Sequence, residues 1–340
     1  MKLGLAGAGR IGSMHAATLA ALPGVDALVI ADADTARAQQ LADRLGSTVH
    51  ATPRVDDLFE RGMDGLVVAA ATDVHAELVL RAVDAQIPVF CEKPVAVDVA
   101  GTREVVDVVE RAGALVQVGF QRRFDPGHVA ARAAVRAGDL GFVHTIRSTT
   151  LDPAPPQPEY VAASGGLFRD CGVHDFDAIR WVTGREIVEV YASGANRGAS
   201  YFRDYGDVDT GAAMITLDDD TIALFSGTRY NAAGYDVRME LLGERGSVVV
   251  GLDDTVPLRS AESGVGWPAG PASPHFAVRF ERAYLAEVTA FTELLTRGVG
   301  DGVPDGVCTP REALEAFYVA EACELSKAER RPVQVAEVRR

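Results

Sequence analysis

The stretch KLGLAGAGRIG, residues 2–12, decides the fold of the first part of the chain. Its apolar beginning is typical of a buried strand, and Gly7, Gly9 and Gly12 follow directly. Glycine at these positions allows a tight turn, a close approach of backbone to a pyrophosphate, and close packing of helix on strand. The helix that begins here would offer unpaired N–H groups to an anion. Glycine-rich strand ends also occur without a nucleotide, so the motif needs support from the rest of the chain.

Short apolar runs recur through the first 120 residues, separated by longer amphipathic segments. These runs cover residues 3–6, 27–31, 65–69, 87–91 and 115–118. Strands that alternate with helices predict a doubly wound parallel sheet with helices on both faces, here a dinucleotide-binding α/β domain over residues 1–120. Ligands of such open sheets bind outside the carboxyl ends of the strands.

From about residue 142 the segments change to predicted strands with only turns between them. They cover residues 142–151, 187–195, 211–217, 221–230, 237–242 and 247–250. Residues 218–220 and 243–246 have the composition of hairpin turns. This pattern predicts an α+β domain over residues 121–340 with one large open, mostly antiparallel sheet. Residues 253–275, rich in Pro, Gly and Ser, are predicted to form a long surface excursion.

Two helices are predicted towards the end of the chain. Residues 276–297 have helical periodicity, and Thr309-Pro310-Arg311-Glu312 has the form of a capping box with proline in the first turn. The second helix is predicted to run to about residue 328. The domain boundary leaves room for a carboxyl-terminal helix to pack back on the first domain.

Charge and composition exclude several classes of protein. The formal net charge of −15 disfavours binding to nucleic acid or to anionic membranes, which needs clustered Lys and Arg. The amino terminus shows no signal-peptide core, and no apolar run approaches the ~20 residues of a membrane span, so we expect a cytoplasmic protein.

The cysteines are far apart and without zinc-like spacing, which indicates reduced structural thiols rather than disulfides or a metal site. They are Cys91, Cys171, Cys308 and Cys323.

Asp32 supports the nucleotide interpretation of the glycine motif. It lies about 20 residues after Gly12, at the end of the second apolar run, where a carboxylate accepts hydrogen bonds from the adenosine ribose. A carboxylate there, followed by Asp34, repels a 2′-phosphate, so NAD is favoured over NADP. Arg37 is close enough in sequence to leave use of both cofactors open. The alternative is a solvated acid at a strand end.

Two further turns are expected to border the same crevice as the glycine turn. One follows residue 69 and includes His75, which is predicted to be a helix-start residue beside the cofactor rather than a proton carrier. The other is Glu92-Lys93-Pro94. The predicted cofactor-binding residues are Gly7, Gly9, Arg10, Ile11, Gly12, Asp32, Ala70, Thr72, His75, Glu92 and Lys93.

Asp170 and His174 have the spacing of a carboxylate–imidazole pair, because residues four apart share one face of a helix. Such a carboxylate orients the imidazole and stabilises the imidazolium formed when it takes a proton. Alcohol oxidation also needs a cation beside the oxygen, which Lys93 could supply. The alternatives are an ordinary polar helix face, a metal bound by the His-x-x-Asp spacing, and a Lys93 that only pairs with a neighbouring acid. We expect no metal.

Four stretches resemble the Gfo/Idh/MocA family of nicotinamide-dependent sugar and cyclitol dehydrogenases. They are GAGRIG (7–12), ATDVHAE (71–77), EKP (92–94) and GGLFRDCGVHDFDAIRWVTG (165–184). Within the family, three segments are similar to the inositol 2-dehydrogenases: GFQRRFD (119–125), DPAPPQPEY (152–160) and HDFD (174–177). The resemblance implies a Rossmann domain, bound NAD and a cis Lys93–Pro94 bond.

The resemblance also implies an activity and its residues. The expected reaction is oxidation of a ring hydroxyl of myo-inositol or a close cyclitol to the ketone, with Lys93, Asp170 and His174 as catalytic residues. The substrate-binding residues implied are Lys93, Arg123, Asp152, Tyr160, Asp170, His174 and Tyr235. Cys171-Gly172-Val173 departs from the bulkier residues expected before the histidine, which leaves the substrate open.

Three other functions remain open on the sequence. The same fold could act on another sugar or aminocyclitol, could bind NAD without redox chemistry, or could hydrolyse glycosides through transient oxidation on a tightly held NAD.

The open sheet of the second domain also bears on assembly. If helices cover only one of its faces, alternating apolar residues would leave an exposed apolar patch on the other. We therefore expect a homodimer or homotetramer.

Overall fold

The computed structural model describes residues 1–268, 270–297 and 303–339. The chain forms two compact units, each with its own sheet. The first unit comprises residues 1–124 and 282–314, and the second comprises residues 125–281 and the chain from residue 315 onward. No helix of the described ranges is both long and apolar enough to cross a bilayer.

Six parallel strands form the sheet of the first unit, in the order β3-β2-β1-β4-β5-β6. They are β1 Lys2–Ala6, β2 Ala27–Ala31, β3 Val49–Thr52, β4 Gly65–Val68, β5 Val89–Glu92 and β6 Val116–Gly119. The predicted doubly wound sheet is confirmed. The edge strand β3 is not among the five apolar runs, because it is short and carries the exposed His50. Strand order reverses between β1 and β4, which is where open sheets of this kind bind ligands.

Helices connect these strands and pack on the sheet. They are α1 Arg10–Ala21, α2 Thr35–Leu45, α3 Asp57–Glu60, α4 His75–Asp84 and α5 Val99–Ala112. The core of the unit includes Leu3 and Leu5 of β1, Phe90 of β5, and Phe291 from a later segment of the chain, all fully buried. This packing fixes the carboxyl ends of β1, β4 and β5, from which the candidate cofactor turns emerge.

The second unit contains a seven-stranded sheet in the order β12-β11-β7-β10-β9-β8-β13. Its strands are β7 Val143–Leu151, β8 Ile187–Ala195, β9 Thr210–Leu217, β10 Ile222–Thr228, β11 Asp236–Gly243, β12 Ser247–Val250 and β13 Val333–Gln334. Only β7 and β10 pair in parallel in this sheet as described, so the prediction of a mostly antiparallel sheet is confirmed. The predicted turns at residues 218–220 and 243–246 join β9 to β10 and β11 to β12.

The remaining helices are α6 Pro126–Ala137, α7 Pro158–Ser164, α8 Val173–Thr183, α9 Tyr201–Asp204, α10 Phe276–Arg279, α11 Glu281–Arg297 and α12 Pro310–Glu329. The capping box of α12 is confirmed, since the Thr309 N–H donates to Glu312 Oε2 at 2.9 Å and the Glu312 N–H donates to Thr309 Oγ1 at 3.3 Å. The described residues of segment 253–275 form no helix or strand. Residue 269 lies outside the described residues.

The prediction of a single helix over residues 276–297 is wrong. The backbone leaves the helical region at Phe280, with φ −111° and ψ 18°, and α10 and α11 lie on either side. The Phe280 side chain is buried and meets the ring of Tyr235 edge to face, with 6.4 Å between centroids. Packing of this aromatic side chain accompanies a break that the helical periodicity does not reveal.

Asp175 ties α8 to the sheet of the second unit. Its fully buried carboxylate accepts hydrogen bonds from Ser148 Oγ at 2.6 Å and Thr150 Oγ1 at 2.8 Å, both on the inward face of β7. Two hydroxyl donors satisfy a carboxylate that would otherwise be costly to bury. The amino-terminal end of α8, which carries His174, is therefore held at a fixed position on the sheet.

Candidate active site

The candidate residues fall in both units. In the first unit, the three glycines of the turn after β1 have different roles. Gly7 has φ +103°, and a Cβ there would collide with the Ala69 carbonyl; a Cβ at Gly12 would collide with the Gly7 carbonyl. A Cβ at Gly9 would have open space around it, with none of the described residues beyond its chain neighbours within 4 Å. Gly7 and Gly12 are thus required by packing, whereas Gly9 leaves the backbone accessible to a ligand.

The amino-terminal end of α1 is suited to an anion. Its N-cap residue is Gly9, which supplies no side-chain hydrogen bond, and the first turn contains no acidic residue. The first N–H groups of a helix lack partners within the helix, and the helix dipole adds positive potential there. A pyrophosphate would fit this end of α1, which starts with Arg10 and Ile11.

Asp32 lies directly after β2 and braces the glycine turn. Its Oδ2 accepts a hydrogen bond from the Ala8 N–H at 2.6 Å, and its Oδ1 accepts one from the Asp34 N–H at 2.8 Å. Arg37 Nη1 lies 3.7 Å from Oδ1. Because each carboxylate oxygen has a second lone pair, Asp32 retains acceptor capacity for ribose hydroxyls beside the turn. The position fits the adenosine end of a dinucleotide.

His75 connects the turns that follow β4 and β5. It is the first residue of α4, as predicted, and its ring is buried. Its Nδ1 lies 2.8 Å from the Pro94 carbonyl oxygen and its Nε2 lies 3.1 Å from the Ala70 carbonyl oxygen. Both oxygens only accept, so a ring nitrogen that carries a proton can donate to the carbonyl beside it. These contacts give His75 a bracing role in this structure.

The end of β5 is tied to α1 by a buried pair. Glu92 Oε1 lies 2.7 Å from Nε2 of His15, whose ring also meets Phe90 and Tyr284 edge to face. The next peptide bond, Lys93–Pro94, is cis, which confirms the expectation from the resemblance. The helix that begins at the glycine turn and the strand that delivers Lys93 are therefore held together by one hydrogen bond.

In the second unit, three of the expected substrate-side residues gather around one arginine. Arg229 follows β10, and its side chain is only 3% exposed. Its Nη1 donates to Asp152 Oδ2 at 2.8 Å and its Nη2 donates to Asp170 Oδ2 at 2.8 Å. Tyr160 Oη donates to the other oxygen of Asp170 at 3.0 Å. Nη1 also lies 2.9 Å from the sulfur of Cys171.

Residues 168–172, which include Asp170, form a π-helical turn immediately before α8. His174 is the second residue of α8, so the α-helical spacing assumed from the sequence does not apply between the two. Single π turns often occur at functional sites because they redirect side chains relative to the helix that follows. Here the turn directs Asp170 to Arg229 and Tyr160.

The local charges shift the titration of this cluster. Burial raises the pKa of the Asp152 carboxyl, while Arg229 opposes that rise and Asp170 adds to it. The charge of Asp170, together with burial, raises the pKa of Tyr160 far above its usual range. Burial opposes ionisation of Arg229, but Cys171 and the two carboxylates hold its pKa well above the ordinary value. Tyr160 is therefore a neutral donor and Arg229 a permanent cation.

Comparison with known proteins gives the family. Residues 1–120 match the model described as oxidoreductase family, NAD-binding Rossmann fold, and residues 128–249 match the Gfo/Idh/MocA C-terminal domain. A myo-inositol dehydrogenase of Streptomyces leeuwenhoekii, Hyg17, is 42% identical over 330 residues, covering 96% of this chain and 97% of that protein. The chain belongs to the Gfo/Idh/MocA family of oxidoreductases.

Two solved structures are similar to this family member over nearly its whole length. A myo-inositol dehydrogenase from Corynebacterium glutamicum has a TM-score of 0.88 at 32% identity and covers 98% of each chain. A scyllo-inositol dehydrogenase from Lactobacillus casei, solved with NAD(H) and scyllo-inositol, has a TM-score of 0.86 at 30% identity and covers 99% of each chain. The family predicted from the four motifs and the fold class predicted from the pattern of strands and helices are confirmed, and the first domain is of the NAD-binding type.

Two further residues implied by the resemblance make contacts within their own units. Arg123 belongs to the first unit, where its buried guanidinium donates from Nη1 to Glu312 Oε1 at 2.9 Å. Tyr235 belongs to the second unit and is buried between the edges of Phe276 and Phe280. Across the described ranges, no group of three or more His, Cys, Asp or Glu side chains is arranged to hold a metal ion.

Sequence reasoning missed Arg229 and His15 in this family member. The signal for Arg229 was an arginine at the end of the predicted strand 221–230 in a strongly acidic chain, where a nearby acid would be its expected partner. The signal for His15 was a histidine one turn into the helix that begins at the glycine motif. Neither signal names the partner residue, because Asp152, Asp170 and Glu92 are distant in sequence.

Proposed function

We propose that this protein is an NAD-dependent dehydrogenase that oxidises a ring hydroxyl of myo-inositol, or of a closely related cyclitol, to the ketone. The observation that carries the proposal is the 42% identity, over 96% of the chain, to a relative named myo-inositol dehydrogenase. The cluster of Asp152, Tyr160 and Asp170 supports it, because carboxylates and a hydroxyl suit the many hydroxyl groups of a cyclitol.

The first unit is proposed to be the cofactor-binding domain. NAD, when bound, accepts the hydride from the carbon that is oxidised. The N–H groups at the start of α1 and the open backbone at Gly9 would hold its pyrophosphate, and Asp32 would accept hydrogen bonds from the adenosine ribose. Ala70, Thr72 and His75 would border the cofactor, together with Glu92, and would leave Lys93 at the reacting end.

The second unit is proposed to bind substrate and to form oligomer contacts. His174 would take the proton of the reacting hydroxyl, Asp170 would stabilise the resulting imidazolium, and Lys93 would stabilise charge on the oxygen. Asp152 and Tyr160 are proposed substrate contacts, supported by their place around Arg229. Arg123 and Tyr235 are proposed from the family resemblance alone. The cytoplasmic location stays a prediction from the sequence.

A homo-oligomer is proposed from the exposed face of the sheet in the second unit. Tyr191 on β8, Met214 on β9 and Leu224 on β10 are direct cross-strand neighbours. All three are exposed, Met214 by 51%, and Ile222 beside them is exposed as well. Covering a contiguous apolar row is favourable by about 25 cal/mol per Å² of buried apolar area. A second copy of the chain would supply a matching surface in a dimer or tetramer.

The first prediction concerns the substrate. The protein with NAD is expected to produce NADH from myo-inositol and to use scyllo-inositol, an aminocyclitol and pyranoses less well, measured as NADH absorbance. Turnover confined to a pyranose or an aminocyclitol would refute the inositol assignment. Glycoside cleavage without net NADH would indicate transient oxidation followed by hydrolysis. NAD binding with no turnover of any polyol would favour a non-redox role.

The second prediction concerns the proton. His174→Ala is expected to reduce turnover ~10²–10⁴-fold by removing the general base, with NAD affinity nearly unchanged in calorimetric titration. Oxidation by the unmodified protein should rise with pH as the base loses its proton. Lys93→Met should lower turnover at every pH, because it removes charge stabilisation at the oxygen rather than a proton acceptor. His50→Ala, on the exposed edge strand, is the control. Near-normal turnover of His174→Ala with an unaltered pH profile would assign the proton to another group.

The third prediction concerns cofactor choice. Asp32→Ser is expected to weaken NAD binding roughly ten- to a hundredfold, since a hydrogen bond to a charged group contributes ~1.5–3 kcal/mol. It should also relieve repulsion of the 2′-phosphate and so raise the relative rate with NADP. Asp43→Ser is the matched control, because it removes an exposed carboxylate further along α2 and leaves Asp32 and Asp34 in place. An unchanged ratio of NAD to NADP use in Asp32→Ser would show that Asp32 does not bind the ribose.

The fourth prediction concerns assembly. The mass in solution at micromolar concentration is expected to be that of a dimer or tetramer, measured by light scattering. Met214→Glu should shift it towards the monomer, because a carboxylate would be buried in the apolar contact. Val129→Glu, an equally exposed position on α6, should leave the mass unchanged. Monomer alone for the unmodified protein would rule out the proposed contact.

A further inference from the structure

Arg229 is fixed by its backbone as well as by its side chain. Its N–H donates to the Asp209 carbonyl at 2.8 Å, and the Thr228 carbonyl accepts from the Asp152 N–H at 2.9 Å. The parallel pairing of β7 and β10 therefore continues to the point where Asp152 and Arg229 leave the sheet. The guanidinium is delivered to the two carboxylates from a rigid element, with little freedom to turn away.

The guanidinium is shared by two carboxylates that have little access to water. Asp170 is 10% exposed and Asp152 is 21% exposed, and each accepts from a different Nη atom. The two acids and one cation leave one negative charge in the cluster. Two carboxylates in one buried site repel each other, so without the cation the pKa of at least one of them would rise.

We infer that Arg229 is a positioning residue for the dehydrogenase reaction, which holds Asp170 ionised and correctly oriented and fixes Asp152 beside it. The inference rests on the proposed function for the role given to Asp170. Arg229 acts through these two residues and is not itself a catalytic residue. Its planar fork suits this task, because one ammonium group cannot donate to two separate carboxylates with the same geometry.

Other groups that face Arg229 or Asp170 must be included in any pH argument. Tyr160 donates to Asp170, and Cys171 contacts Arg229. Tyr201 is close enough to interact electrostatically with Tyr230 and with Arg229. Burial and then Tyr230 raise the pKa of Tyr201, while Arg229 lowers it. Free phenols and thiols titrate above neutral pH, whereas free carboxyls and imidazoles titrate below or near it. Loss of the Arg229 cation raises the apparent pKa of every titratable group in the cluster. The acid limb of the pH–rate profile, where the rate falls at low pH, can therefore move only towards higher pH.

The test compares Arg229→Gln with Arg229→Lys and with a matched buried arginine. Arg180 is also buried and donates to the half-exposed Glu186 from Nε at 2.7 Å and Nη2 at 2.8 Å, so Arg180→Gln removes another buried guanidinium and its ion pair from the same unit. For Arg229→Gln we expect kcat/KM for inositol to fall at least about tenfold. The acid limb of the pH profile of kcat/KM should move to higher pH by about one unit. Arg229→Lys should keep the limb nearer its original pH while kcat stays low. The Kd for NAD should not change.

A second arm of the test does not depend on turnover. Arg229→Gln is expected to lower the midpoint of thermal unfolding, and the double variant Arg229→Gln with Asp152→Asn should recover part of that loss at pH 7.5, because one of the two unpaired carboxylates is gone. The recovery should shrink towards pH 5, since protonation already removes the excess charge of the single variant. Calorimetry or circular dichroism measures both.

The outcomes separate the inference from the proposed function. If the unmodified protein oxidises no polyol, the proposed function fails, and the thermal arm still decides the role of Arg229. The inference is overturned if folded Arg229→Gln keeps the acid limb of the unmodified protein, as Arg180→Gln should. It is also overturned if the double variant is no more stable than the single variant at pH 7.5.

Discussion

The close approach of two backbone segments is the constraint on which the first unit depends. The turn after β1 passes so near the turn after β4 that any side chain at Gly7 would strike the Ala69 carbonyl. The same turn leaves open space at Gly9, where the helix N–H groups begin. A cofactor site made in this way consists largely of main-chain atoms, so its shape is set when the sheet forms. Asp32 braces the same turn through the Ala8 and Asp34 N–H groups and is proposed to add selectivity for the cofactor.

Two buried histidines reinforce this arrangement from opposite sides of the sheet's carboxyl edge. His15 ties α1 to Glu92, and His75 ties the turn after β4 to Pro94. Both contacts converge on the segment that carries Lys93. The side chain proposed to stabilise the reacting oxygen is thus anchored through its neighbours in the chain, which restricts where its ammonium can lie.

The second unit builds its candidate site on a different principle. A π-helical turn, a strand end and a short helix bring Asp170, Arg229 and Tyr160 together around a shared charge. Such a cluster exists only in the folded chain. Its side chains depend on one another, because removing any one of them leaves a buried polar group without its hydrogen-bond partner. The departure at Cys171 takes part in the same cluster, where its sulfur contacts the guanidinium.

Much of the first unit follows from sequence alone, because its signals are local. The glycines after β1, the acid after β2 and the proline after Lys93 each report a backbone requirement at their own position. The alternation of strands in the second unit and the capping box at Thr309 are local in the same sense, and they agree with the structure. The break at Phe280 and the π turn at residues 168–172 are not local, since they accompany packing against residues far away in the chain. Tertiary structure alone decided that Arg229 joins Asp152 to Asp170 and that His15 meets Glu92, because pairing between distant side chains depends on how strands and helices are placed, and no spacing in the sequence records it.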